Sequence, residues 1–167
     1  MNQISIRRAQ TRDLAALLAI YNHYVLSTHV TFDIEPRTVE QRRAWLEGFC
    51  ESGRHQCFVA AKNGVAIGWA CSLPLKDRAA YDTSVETSVY LAPGETGQGL
   101  GRRLYEILFE VLAREDIHRM FAGVALPNDA SIALHEKMGF GLVGTYTEVG
   151  RKFGRYWDVS WYGRGLD

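Results

Sequence analysis

Ser84-Val85-Glu86-Thr87-Ser88-Val89-Tyr90-Leu91 alternates along its length, and Pro93-Gly94-Glu95-Thr96-Gly97-Gln98-Gly99-Leu100-Gly101-Arg102-Arg103 follows almost at once. A period of two marks a strand, with Val85, Thr87, Val89 and Leu91 on one face and Ser84, Glu86, Ser88 and Tyr90 on the other. Beyond the glycines, Leu100, Leu104, Ile107, Leu108, Val111 and Leu112 keep the 3.6-residue period of an amphipathic helix. Between strand and helix, four glycines fall within eight residues. Glycines let the backbone fold tightly and aim successive N–H groups at one point. The helix N-terminus adds partial positive charge, so the turn suits a phosphate or pyrophosphate. A plain helix-entry loop with two solvated arginines, Arg102 and Arg103, accounts for the same residues, and such turns recur widely. Two better-known phosphate loops are absent. G-x-x-x-x-G-K-[ST] does not occur, and G-x-G-x-x-G fails because Arg102 occupies its third glycine.

Upstream, Gln3 to Arg8 reads as a strand, and Thr11 caps a helix carrying Leu14, Leu17, Leu18, Tyr21, Tyr24 and Val25 on its apolar face. Thr38 with Gln41 forms a capping box opening a second helix to about Glu51, whose role reads as structural. Cys57 to Ala61 and Val65 to Cys71 flank Asn63-Gly64, a type I′ hairpin turn. Downstream, His118 to Leu126 is a strand, Asn128 caps a helix to Met138, and Phe140 to Tyr146 and Arg155 to Tyr162 form a closing pair. Hairpins combined with strand-helix-strand crossovers imply an α/β or α+β fold, a mixed sheet with helices on its faces.

The length of 167 residues, at about 150 per domain, predicts one domain over residues 1–167, and 47% hydrophobic content suffices for its core. Nineteen basic and nineteen acidic residues cancel, leaving no excess charge for a nucleic acid or an anionic membrane. Neither the start, Met1-Asn2-Gln3-Ile4-Ser5-Ile6-Arg7-Arg8, nor any apolar run matches a signal peptide or a bilayer span. A cytoplasmic location is the expectation. Cys50, Cys57 and Cys71 form no C-x-x-C pair and sit among apolar neighbours, so buried thiols are expected, with no disulfide framework or metal site.

Three further features carry possible chemistry. Glu86, between Val85 and Val89 on the alternating strand, is costly to desolvate unless it is paired or set on a cavity. Desolvation favours its neutral form, as suits a group that accepts a proton near neutrality, whereas a solvent-facing or arginine-paired glutamate is the plainer reading. His135, beside Leu134 and without a second histidine at metal-ligand spacing, suits packing as well as proton transfer. Lys76, Arg78 and Tyr81 precede the strand and offer two cations and a phenol to an anionic small molecule, or form a solvated loop.

Taken together, Val85 to Leu91, Gly97-Gln98-Gly99-Leu100-Gly101, Leu126-Pro127-Asn128-Asp129 and His135-Glu136-Lys137-Met138-Gly139-Phe140 resemble the GCN5-related N-acetyltransferase superfamily in order and spacing. Tyr21-Asn22-His23-Tyr24, Ala80-Tyr81-Asp82, Ser88-Val89-Tyr90 and His135-Glu136 resemble its phosphinothricin and methionine sulfoximine acetyltransferases. The resemblance spans Ile4 to Tyr162. It implies a mostly antiparallel sheet of about seven strands with about four helices, and acetyl-CoA as co-substrate without a metal. It also implies a homodimer.

By the same resemblance, Gly97, Gln98, Gly99, Leu100, Gly101 and Arg102 hold the pyrophosphate, with Asn128 as a further contact. The pantetheine arm lies along Val89, Tyr90 and Leu91. Thr96 stands where the family usually has Arg or Gln, which puts one side-chain contact in doubt. Glu86 is implied as general base, and His135 as proton donor to the thiolate or member of a relay. Lys76, Arg78, Tyr81, Thr87 and Ser88 are assigned to the acceptor, a small amino-acid-like amine. An acetyltransferase for protein N-termini and a non-catalytic acyl-CoA sensor are the competing readings.

Overall fold

Two periodicities, alternation in the strands and 3.6 in the helices, decide how the chain folds into layers. The computed structural model describes residues 4–166. Its strands are β1 (Ile4–Arg8), β2 (Cys57–Lys62), β3 (Val65–Pro74), β4 (Ser84–Leu91), β5 (Arg119–Ala125), β6 (Gly141–Lys152) and β7 (Arg155–Gly165). They form one sheet in the order β1-β2-β3-β4-β5-β7-β6. Every neighbouring pair is antiparallel except β4 with β5. The helices are α1 (Leu14–Ser27), α2 (Val39–Glu47), α3 (Leu100–Leu112) and α4 (Asp129–Lys137).

Alternation sends successive strand residues to two separate cores. Phe58, Ala60, Ala70 and Val85 pack with Leu104, Leu108 and Leu112 of α3. Cys57, Val59, Trp69 and Cys71 pack on the opposite face with Leu17 and Ile20 of α1 and with Trp45 of α2. The Asn63-Gly64 turn has φ of 51° and 88°, as the type I′ geometry requires. Just past it, Ala61 pairs with Ala66 but Ala60 pairs with Gly68. Ile67 is therefore the extra residue of a bulge, and it changes which face each later side chain meets: Ala66 lies with α1, Ile67 with α3 and Trp69 with α1 again.

Several boundaries depart from expectation for identifiable reasons. Gln3 lies outside the described residues. Thr11 does not cap α1; a 3-10 turn, Thr11–Asp13, comes first, and the Asp13 carboxylate takes the Gln10 N–H at 2.9 Å and a two-bond grip from Arg7. The Thr38–Gln41 capping box is present, but α2 stops at Glu47 with Gly48 as its C-cap. The early stop leaves Cys50 outside any helix and exposed, so only Cys57 and Cys71 are buried thiols. Strands β6 and β7 run further than alternation suggested, because β6 is an edge strand whose Leu142, Val143, Tyr146 and Val149 remain exposed.

Gly68 is set by contact rather than by conformation. A Cβ there would lie 2.5 Å from Leu91 Cδ2 and 2.7 Å from the Tyr90 carbonyl oxygen, so an alanine must push β3 away from β4. Gly68→Ala is expected to destabilise the protein by about 1–3 kcal/mol, the usual cost of overpacking. An unchanged midpoint in denaturant unfolding would show that the strands absorb the methyl group.

Candidate active site

The site begins where two parallel strands part. β4 and β5 pair at Ser84–Arg119, Val85–Met120 and Glu86–Phe121 and no further. β4 nevertheless continues along β3 to Leu91, and β5 along β7 to Ala125. A slot opens between them, with the Thr87 hydroxyl 3.4 Å from the Phe121 carbonyl at its apex. The Ala92 N–H donates to Ile67 on β3, so strand alternation turns the backbone groups of Val89 and Leu91 toward the slot. The Leu91 carbonyl accordingly accepts from the Tyr24 hydroxyl at 2.7 Å.

Two cavities meet at the slot. One, of about 550 Å³, runs past Thr87, Val89 and Leu91 to the glycine-rich turn and α4. The other, of about 580 Å³, lies on the α1–α2 side and includes Glu86. Ser88, Tyr90, Gly123 and Ala125 line both, so the parted strands form a shared wall.

At the far end of the first cavity, Gly94, Gly97 and Gly99 have φ of 85°, 75° and 75°, a region that L side chains enter only with strain. Gly99 is the N-cap of α3 and no side chain caps the helix. Its first N–H groups are thus left for an anion. Gly101 permits close packing, since a Cβ there would meet Leu134 Cδ2 at 3.1 Å. Lys62 anchors the turn through Glu95 at 2.9 Å. Thr96, Gly97, Gly99, Leu100, Gly101, Arg102 and Asn128 all line this cavity. Gln98 does not, because its amide turns back toward Gly94 and Glu95. Arg102 is exposed and bound to Glu106 at 2.7 Å. Asn128 caps α4 by accepting from the Ser131 N–H at 3.2 Å.

Glu86 faces the second cavity with no ion pair among the described residues, and burial raises its pKa. Around it stand Tyr21, Trp45, Trp69 and Tyr90, with Tyr90 stacked on Trp69 at 5.0 Å. Arg42 lies among these rings, 4% exposed. Nearer the rim, Asp33 is held by Arg37 at 2.7 and 2.8 Å and by the Tyr21 hydroxyl at 2.7 Å.

His135 is buried and borders the first cavity. Its Nδ1 lies 2.7 Å from the Ser131 carbonyl oxygen, which can only accept, so Nδ1 carries the proton and Nε2 accepts from the Tyr105 hydroxyl at 3.0 Å. Burial lowers the His135 pKa against that backbone bond, and burial raises the Tyr105 pKa well above the ordinary phenol. The imidazole is therefore neutral near pH 7, and both its nitrogens have partners.

Other expected residues fall elsewhere. Lys76, Arg78 and Tyr81 line neither cavity; both cations are exposed on the loop after β3, with Lys76 Nζ 5.4 Å from the Tyr81 ring. Thr87 shares the face of Val89 and lies on the side of the glycine turn, whereas Ser88 borders both cavities. The sequence reading missed Arg42, Trp45, Tyr21 and Asp33. One signal was available: Arg42 stands three residues before Trp45, on the apolar stripe of α2, where a hydrophobic residue belongs.

A slot that joins an uncapped helix start to a second cavity with a half-buried acid is the arrangement of a two-substrate transferase. Residues 6–161 match the family model described as an acetyltransferase (GNAT) domain. The phosphinothricin N-acetyltransferase of Streptomyces coelicolor is 52% identical, over 98% of this chain and 97% of that protein. The L-methionine sulfoximine/L-methionine sulfone acetyltransferase of Salmonella typhimurium is 36% identical, over 98% and 95%. A crystal structure of the GNAT superfamily phosphinothricin acetyltransferase from Sinorhizobium meliloti, in complex with acetyl-CoA, superposes with a TM-score of 0.92 at 30% identity, covering 98% of this chain and 88% of that one. The chain belongs to the GNAT acetyltransferase family and is an enzyme whose acetyl donor is acetyl-CoA.

The glycine turn yields a direct test. An added Cβ at Gly99 meets nothing within 4 Å, so valine there fits in space but not at φ of 75°. Gly99→Val is expected to weaken acetyl-CoA binding at least about tenfold by turning the N–H groups away, each charge-assisted bond contributing about 1.5–3 kcal/mol. Calorimetric titration showing parent affinity, with the circular dichroism spectrum intact, would remove the turn from the donor site.

Proposed function

We propose that this enzyme acetylates the α-amine of a small amino-acid-like acceptor, of the phosphinothricin or methionine sulfoximine kind, by direct attack on acetyl-CoA. The observation that carries the reading is the wall common to both cavities. A donor lying along Val89 and Leu91 and an acceptor amine beside Glu86 would meet across Ser88 and Tyr90. The relatives named for those two acceptors support the acceptor class.

An ammonium cannot attack a thioester until it loses a proton. Glu86 takes it, directly or through one water, and its raised pKa brings the carboxylate closer to the working pH of a base. The amine nitrogen then bonds to the acetyl carbon, and the carbonyl electrons move onto oxygen. The Val89 N–H, turned toward the slot, stabilises that oxyanion. Expulsion of the sulfur, as the nitrogen gives up its second proton to the departing thiolate or to water, completes the amide. At the leaving end the Tyr105 hydroxyl turns its one proton from His135 Nε2 to the sulfur, the two groups forming a relay beside the thioester. Its raised pKa makes it a hydrogen-bond donor rather than a full acid, and the thiolate of a group with pKa near 8.5 departs readily without one. Arg102 and Asn128 lie along the donor path; Lys76 and Arg78 attract an anionic acceptor from outside the cavity.

Acetylation removes the amine charge by which an amino-acid-like toxin is recognised, so resistance to such compounds is the expected benefit. A cytoplasmic location suits access to acetyl-CoA. We also assign a homodimer over a single 1–167 domain. Leu142, Val143, Tyr146, Val149, Phe153 and Tyr156, each more than half exposed on the β6–β7 hairpin, supply apolar area for a second copy. Sedimentation equilibrium giving a dimer for the parent and a monomer for Tyr146→Lys is expected; a monomeric parent rejects the assignment.

The base is tested by pH. Glu86 must be ionised to act, so kcat/KM of the parent rises as pH climbs through its raised pKa. Glu86→Gln should lower kcat/KM by at least about tenfold near neutrality, with partial recovery at high pH as free amine becomes available. His135→Asn should cost less, and its deficit should shrink with rising pH because the departing thiolate needs no proton. A Glu86→Gln profile that tracks the parent at every pH would leave Glu86 a structural carboxylate.

A further inference from the structure

Arg42 is a buried cation with no anion assigned to it. Only 4% of it is exposed, yet it forms no salt bridge and no side-chain hydrogen bond among the described residues. Nε and Nη2 are both fully enclosed and unpartnered. Its guanidinium carbon lies 3.4 Å from the Trp45 ring centroid, 4.5 Å from that of Trp69 and 4.9 Å from that of Tyr21. A guanidinium stacked that closely on an indole receives charge stabilisation through its face, but its N–H bonds radiate along the ring plane and still require acceptors. Burial without a counter-charge pulls its pKa down to about 10, which leaves it charged at neutral pH.

The acids facing Arg42 do not neutralise it. Asp33, which lines the same cavity, is held by Arg37 and the Tyr21 hydroxyl. Glu86, also on that cavity, makes no ion pair and is pushed toward its neutral form by burial. With Arg37 set against Asp33, Glu86 is the one acid left among the described residues on this cavity, and it forms no ion pair with Arg42. Unpaired donors of this kind are rare in folded proteins, because each forfeits its hydration on folding. They are explained when a ligand supplies the missing counter-charge.

We infer that Arg42 binds an oxyanion of the acceptor, the α-carboxylate or an acidic side-chain group such as a phosphinate, and thereby fixes which amines enter the Glu86 cavity. The inference rests on the acceptor class proposed above. Nε and Nη2 are enclosed by the protein, so an oxyanion entering the cavity meets the cation at Nη1, and the aromatic walls limit the water that would otherwise compete. Neutral amines such as simple alkylamines would lack the contact and would leave the cation unpaired. In this arrangement the pocket selects by charge through α2, at a position remote in sequence from the β4 strand that carries the base.

The test combines kinetics with a measurement independent of turnover. Arg42→Met keeps the bulk and stacking of the side chain while removing its charge, and Arg42→Lys keeps the charge without the flat pair of donors. With phosphinothricin or methionine sulfone as acceptor, Arg42→Met should raise the acceptor KM at least about tenfold, as loss of a charged hydrogen-bond pair does. The acetyl-CoA KM should stay within about twofold, and Arg42→Lys should recover only part of the loss. Because the variant removes an unpaired buried charge, its Tm should equal or exceed that of the parent. Methionine sulfone amide, which has no carboxylate, separates the two sources: a penalty that vanishes with the amide assigns the carboxylate, and one that persists assigns the side-chain oxygens. Titration with acetate and methylphosphinate, read by tryptophan fluorescence from the Trp45–Trp69 box, should saturate in the parent and not in Arg42→Met. Anion binding without turnover of any amino acid would defeat the acceptor class and leave the Arg42 site standing. A lowered Tm with unchanged acceptor KM and unchanged fluorescence titration would make Arg42 a packing residue and overturn the inference.

Discussion

The parting of β4 from β5 after the Glu86–Phe121 pair is the constraint on which the site depends. A central strand normally has every backbone group paired, and an unpaired one away from water carries a cost comparable to a lost hydrogen bond. Here each strand keeps its outer neighbour and loses its inner one, so the exposed groups stay rigidly placed. They stand as fixed donors and acceptors along the slot at little cost to the rest of the sheet. Crossing from β4 to β5 through α3 makes the pair parallel, the only parallel pair among the described residues.

The alternation of β4 then divides the labour. Thr87, Val89 and Leu91 face the side of α3 and the glycine turn, whereas Glu86, Ser88 and Tyr90 face the side of α1 and α2. One strand therefore serves two cavities, and a one-residue change of register would exchange them. The close approach at Gly68, opposite Leu91, marks the end of the unbroken β3–β4 ladder that keeps that register. The electrostatics of the two cavities also differ. The cavity at the glycine turn presents backbone N–H groups and a helix terminus. The Glu86 cavity concentrates side-chain charge, with a carboxyl whose pKa burial raises and an unpaired guanidinium enclosed by aromatic rings.

Much of this was legible from local patterns. Strand β4 and helix α3 coincide with the stretches the periodicities marked, since both signals are strong and bounded by glycine or by a change of period. Capping chemistry likewise placed the starts of α2 and α4. The misplaced end of α2 and the exposed Cys50 share one cause, because apolar residues beyond Gly48 read as a continuing helix when only tertiary contact decides where the helix stops. Lys76 and Arg78 precede β4 in sequence, but the fold leaves both exposed on a loop outside the two cavities.

The sequence by itself determined the layered mixed sheet, the glycine-rich helix start and the exceptional carboxylate at Glu86, because each is encoded by neighbours within a few residues. Tertiary structure alone decided that α2 supplies a wall of the Glu86 cavity, that His135 is bound to Tyr105, and that Arg42 is buried without a partner among the described residues. These properties depend on which distant groups surround a side chain and on how much water they exclude. Burial and pairing are sums over the folded surroundings, and no local pattern contains them.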